Sequence, residues 1–94
     1  MFEGVSIQAR IRGRVQGVWY RAWTVEQASL RGLNGWVRNR TDGSVEGLFS
    51  GDSEVVADML EACKRGPTAA NVTGIETEKV EPPEHSGFRQ LGTL

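Results

Sequence analysis

Residues 13–21, GRVQGVWYR, set two glycines four apart ahead of an arginine. Gly13 and Gly17 carry no Cβ, so the backbone between them can close into a tight loop with its N–H groups turned outward. Where such a loop runs into a helix, the first N–H groups lack partners and the helix dipole is positive, so that point attracts an anion. Arg21 falls in the first turn, and its planar guanidinium matches phosphate or carboxylate oxygens two at a time. The stretch reads as a cradle for a small oxyanion, with backbone N–H groups of Arg14, Val15, Gln16, Gly17, Val18 and Trp19 as donors. Residues alone also allow a plain strand-to-helix connection. They exclude two phosphate-binding loops: Val18 and Trp19 follow Gly17 where a P-loop needs Lys-Ser/Thr, and the three-glycine dinucleotide fingerprint is missing.

The elements that must position this loop follow from periodicity. Val5, Ile7, Ala9 and Ile11 alternate with Ser6, Gln8, Arg10 and Arg12, the period-two pattern of a strand with one buried face. A helix is predicted over 20–31, with Ala22, Val25 and Ala28, joined by Trp23 and Leu30, on its apolar side and Gly32 as its stop. Residues 33–40 read as a second strand ending near Asn39, Thr41-Asp42-Gly43 as a hairpin, and 44–50 as a third strand with Val45, Gly47 and Phe49 opposite Glu46 and Leu48. Asp52 or Ser53 can cap a second helix that carries Val55, Val56, Met59, Leu60, Ala62 and Cys63 and stops at Gly66-Pro67. Residues 72–80 form a fourth strand, and 88–91 a short edge strand. The order β-α-β-β-α-β predicts an α+β, ferredoxin-like sandwich: an antiparallel sheet with two helices on one face. That fold hosts many functions and settles none.

Ninety-four residues suit one domain, residues 1–94, with a modest core. Eleven basic against twelve acidic residues leave a net charge of −1, which argues against a nucleic-acid or anionic-membrane surface. The basic residues are biased to the first half, so the field near the loop can be positive although the whole is not. One cysteine excludes an intramolecular disulfide framework and fits a reducing compartment. No signal peptide or spanning apolar run is visible, so the expected location is the cytoplasm and the expected state a monomer.

The stretch GRVQGVWYR resembles the signature of the acylphosphatase family, and GWVRNRTDGSVEG, residues 35–47, resembles the family's second signature at the family's spacing. The likeness runs from the first strand through Gly66-Pro67 and is weaker over FRQLGTL. It implies the same ferredoxin-like fold and a hydrolase for small-molecule acyl phosphates that needs no metal and no cofactor. It also implies Arg21 and Asn39 as the catalytic pair, with inorganic phosphate or sulfate as product-like ligands. Without the resemblance, Asn39 is better explained as a turn former bonding its own backbone.

The chemistry open to such a pair is narrow. Neither Arg21 nor Asn39 is a base near neutral pH, and the motif stretches hold no Ser, Cys or His as an activated nucleophile. They hold no paired carboxylates or His/Cys metal cluster either. A site so equipped can hold a phosphoryl group, neutralise its charge and aim a water. An acyl phosphate asks for little more, because its carboxylate departs without protonation.

The neighbouring residues carry open readings. Arg14 and Gln16 are expected to point their side chains outward. Thr24 is a supporting candidate that can bond within the site or back-bond along its helix. Trp19, Tyr20 and Trp23 can wall the acyl side or join the core, the commoner fate of aromatics at such spacing. Cys63 reads as inert core, His85 as a solvated loop residue, and Arg40 has no assigned role. Two alternatives stand beside the free enzyme: the same module handling carbamoyl phosphate within a larger assembly, and a non-catalytic anion- or RNA-binding domain. The Gly-Phe motif an RNA-binding module wants on its central strand is missing.

Overall fold

The computed structural model describes residues 4–94; Met1, Phe2 and Glu3, part of the stretch read as free of a signal peptide, lie outside the described residues. The elements run β1 (Gly4–Arg14), α1 (Tyr20–Leu30), β2 (Asn34–Asn39), β3 (Val45–Asp52), α2 (Ser53–Arg65), β4 (Asn71–Lys79) and β5 (Phe88–Gln90). The strands order as β4-β1-β3-β2-β5. β1 through β4 pair antiparallel, with both helices on one face, which is the ferredoxin-like arrangement.

The sheet is mixed rather than wholly antiparallel, because β5 pairs with β2 in parallel. β4 lies at one edge of the sheet and β5 at the other. The chain therefore passes along one end of the sheet from one edge to the other, and β5 sets out antiparallel to β4, which is the direction of β2.

Ala9, Ile11, Val37, Val45 and Phe49 supply the sheet's side of the core. Tyr20, Thr24 and Ala28, four apart, are the buried side of α1. Ala22 and Leu30, expected on that side, are exposed. α2 buries Val56, Met59, Ala62 and Cys63, and its N-terminus is capped by the Asp52 carboxylate, which accepts from the Glu54 N–H at 2.9 Å. The Tyr20 hydroxyl donates to the Cys63 carbonyl at 2.5 Å. That bond joins the start of α1 to a carbonyl in the last turn of α2. Burial raises the Tyr20 phenol above its usual range and pushes the Cys63 thiol up to about 12.

The register sets up the site. Ile11 faces Val45, and Val45 faces Asn39. Ile11, three residues before the end of β1, therefore lies level with Asn39 at the end of β2, two strands apart, and both strands run toward the same end of the sheet.

The adjacent row on the other face is charged: Arg10 faces Glu46, and Glu46 faces Arg38. Alternation placed Glu46 on a polar face, yet it is only 4% exposed. Arg38 and Arg40 donate to its Oε1 at 3.0 and 3.1 Å, and Gln8 donates to Oε2. Burial alone would raise its pKa, but the Arg38 bond, with the charges of Arg38, Arg40 and Arg10, holds it below the usual carboxylate value. Arg40, unassigned from sequence, belongs to this cluster.

Candidate active site

The loop between β1 and α1 is pinned at both ends. Gly13 has φ +122°, and a Cβ there would sit 2.2 Å from the Asn71 carbonyl oxygen of β4, so only glycine fits this register shift. Arg14 ends β1 opposite Asn71, with its side chain exposed, so the loop proper starts at Val15. Val15 and Val18 are buried at 1% and 5% exposure and anchor the loop to the core. Between them Gly17 takes φ +74°.

Among the described residues, none of the N–H groups of residues 15–19 donates a hydrogen bond to the protein's own backbone. Trp19 occupies the N-cap of α1 without a side-chain capping bond, so the first turn also keeps free donors. These groups are open to an external acceptor, and the helix dipole favours a negative one.

Arg21 and Asn39 line one cleft of about 350 Å³, together with Val15 and Gly17 of the loop. Arg21 is half-buried and makes no ion pair or side-chain hydrogen bond among the described residues. Asn39 ends β2, and its side-chain oxygen Oδ1 is buried without a hydrogen-bond partner among the described residues. A buried acceptor left open costs about 1–3 kcal/mol unless something outside the chain fills it.

Other predicted residues fall elsewhere. Thr24 is fully buried and donates to the Tyr20 carbonyl at 2.8 Å, so it back-bonds along α1. Trp23 tilts against Tyr20 with ring centroids 5.4 Å apart and is half-buried. Trp19 and Tyr20 both line the cleft, but Trp19 is 81% exposed whereas Tyr20 is core. Gln16, expected to point outward, turns to the β2–β3 hairpin: its Nε2 donates to the Arg40 and Ser44 carbonyls, each at 2.8 Å.

Two supports of the site had no clear signal in the sequence. Gln90 of β5 lines the cleft. Beyond it the chain continues along β2: the Leu91 N–H donates to the Val37 carbonyl and the Leu94 N–H to the Asn39 carbonyl, while the Thr41 N–H donates to the Leu94 carbonyl. The backbone of Asn39 is thus held by residues 91–94, the stretch where the family likeness is weakest. Among the described residues no group of three His, Cys, Asp or Glu side chains comes together. Within them, no helix is long and apolar enough to cross a membrane.

Fold and cleft together describe a small α+β domain in which the β1–α1 loop shares one cleft with Asn39 and with a guanidinium, that of Arg21, that has no ion pair among the described residues. A family model described as acylphosphatase matches residues 7–90. The acylphosphatase of Rhodospirillum rubrum is 51% identical over 89 residues, covering 95% of this chain and 98% of that one. That of Azorhizobium caulinodans is 55% identical over 85 residues, covering 89% and 91%. The solved structure of an acylphosphatase from Coxiella burnetii superposes with a TM-score of 0.89 at 30% identity, covering 94% of this chain and 93% of that one. The chain belongs to the acylphosphatase family and is a hydrolase of that class.

Proposed function

We propose that the protein hydrolyses the carboxyl–phosphate bond of acyl phosphates, releasing a carboxylate and inorganic phosphate, by in-line attack of a water that needs no acid, base or metal. The phosphoryl group sits on the loop N–H groups of residues 15–19, with Gly13 and Gly17 shaping the loop, and Arg21 supplies the countercharge. Asn39 Oδ1 accepts a hydrogen bond from the attacking water and holds it in line, which lowers the entropic part of the barrier.

The division of labour follows from the bond being cut. Phosphoryl transfer passes through a loose transition state with charge on the phosphoryl oxygens. Fixed N–H dipoles and a guanidinium stabilise that charge without reorganising. The leaving carboxylate has a conjugate acid of pKa about 4, so it departs as an anion. The water's proton passes to a phosphoryl oxygen of the substrate, since neither Arg21 nor Asn39 can take it.

The observation that carries this reading is the shared cleft: unpaired Arg21 and the open acceptor of Asn39 line it together with a loop of unspent N–H groups. A crystal soaked in sulfate or phosphate tests it. The ion should lie within about 3 Å of the loop nitrogens; an ion bound away from them overturns the placement. The same reading has residues 1–94 act as one domain, a monomer without a cofactor. It places the protein in the cytoplasm, where a single buried thiol suits the reducing conditions.

A further inference from the structure

Trp19 is out of keeping with its backbone. It is the one non-glycine with positive φ among the described residues, at φ +68°. An L-residue held there is strained, which glycine or asparagine would largely avoid. Burial gives nothing back, because the side chain is 81% exposed. Its ring joins neither aromatic pair of the described residues and no cation–π contact, which leaves it outside the core packing. Yet it borders the cleft, on the same rim as exposed Ala22 and Gln90.

We infer that the indole of Trp19 is the acyl-group platform of the cleft, selecting acyl phosphates with a flat aromatic or extended apolar acyl group over small ones. This rests on the acyl-phosphate reading above. With the phosphoryl group on the loop and Arg21, the acyl half of the substrate must project from the cradle toward the rim. At about 30 Å³ per heavy atom, the share of a water, a phosphate of five heavy atoms leaves roughly half of the cleft's 350 Å³ open. The remaining space is bounded on one side by Trp19, with Ala22 too small to fill it. An apolar acyl group laid on the indole buries surface from both partners, and an aromatic one adds a stacking contribution. A short acyl group such as acetyl reaches too little of the ring to gain the same.

The test compares kcat/KM for benzoyl phosphate and acetyl phosphate in the native protein, Trp19→Phe, Trp19→Ala and Trp19→Gly. The native protein should favour benzoyl phosphate, and Trp19→Phe should keep most of that preference. Trp19→Ala and Trp19→Gly should lower the benzoyl-to-acetyl ratio about tenfold, mainly through KM for benzoyl phosphate. Trp19→Gly guards against a folding artefact, since glycine takes the observed φ without strain. An unchanged ratio in Trp19→Gly, or equal losses on both substrates, overturns the platform while leaving acyl-phosphate hydrolysis in place. A native protein that turns over neither substrate overturns the underlying reading, and the platform with it.

Discussion

Gln16 donates its side-chain amide to the main-chain carbonyl of Arg40 at 2.8 Å, and the same nitrogen reaches the Ser44 carbonyl at 2.8 Å. Arg40 directly follows Asn39. The loop proposed to hold the phosphoryl group and the residue proposed to aim the water are therefore fastened together by one side chain.

Gln16→Ala should cut that fastening. The Arg40 and Ser44 carbonyls each lose one of two donors, keeping the N–H groups of Gly43 and Arg40, so stability should fall by about 1 kcal/mol, read from urea unfolding. Turnover should fall further than stability alone explains, by up to about 10²-fold, because small misplacements are costly in a site that works by positioning. A variant with full turnover would show that the loop and hairpin hold their places independently.

Arg21 and Asn39 should separate kinetically. Arg21→Ala removes the phosphate's countercharge and should both raise KM and lower kcat. Asn39→Ala should lower kcat by roughly 10²–10³-fold with KM within about twofold, as expected when a group acts mainly in the transition state. Steady-state kinetics on benzoyl phosphate distinguish the two, and Asn39→Ala turnover within about twofold of native removes the water-aiming role.

Residues 91–94 brace Asn39 from the far edge of the sheet, through the bond from the Leu94 N–H to the Asn39 carbonyl. Deleting them should lower kcat while the core, built from β1, β3 and the helices, stays folded by circular dichroism. Unaltered kinetics would mean that β3 alone holds the end of β2.

Much of this was legible in the chain. Alternation in β1 and β3, the Asp42-Gly43 turn and the Asp52 cap all rest on local rules, and each element lies within a residue or two of its predicted bounds. The loop and Asn39 were legible because two short motifs carry them. Long-range partners were not. Glu46 reads as one polar residue in an alternating strand until pairing sets it between Arg10 and Arg38. Gln16 finds its acceptors 24 and 28 residues away. The parallel pairing of β5 depends on its docking beside β2, at the edge opposite β4, and three residues give no sign of that partner.

Acid stability offers a check on the hairpin beneath the site. Bonds from the Ser44 hydroxyl and N–H, with Arg10 and Arg12 nearby, hold Asp42 at about 2 against an ordinary 3.8. A carboxylate depressed on folding stabilises fully above its unfolded pKa and loses that contribution as pH falls through the folded one. Asp42→Asn should thus be less stable than native protein near pH 6, and the gap should close between about pH 4 and 2. Asp42 is half-exposed, so the gap should be modest and shrink with salt. A gap constant with pH would mean that Asp42 gains nothing from its charge.

The chemistry itself is tested most directly by one comparison: hydrolysis of benzoyl phosphate and of benzyl phosphate by the purified protein, with chelator present. The two share a ring and a phosphate, but benzyl phosphate must expel an alkoxide, whose departure needs a general acid. Steady turnover of benzoyl phosphate is expected, with benzyl phosphate slower by at least about 10²–10⁴-fold, the usual worth of that acid. Equal rates on the two, or loss of benzoyl phosphate turnover on chelation, would contradict an acid-free, metal-free site.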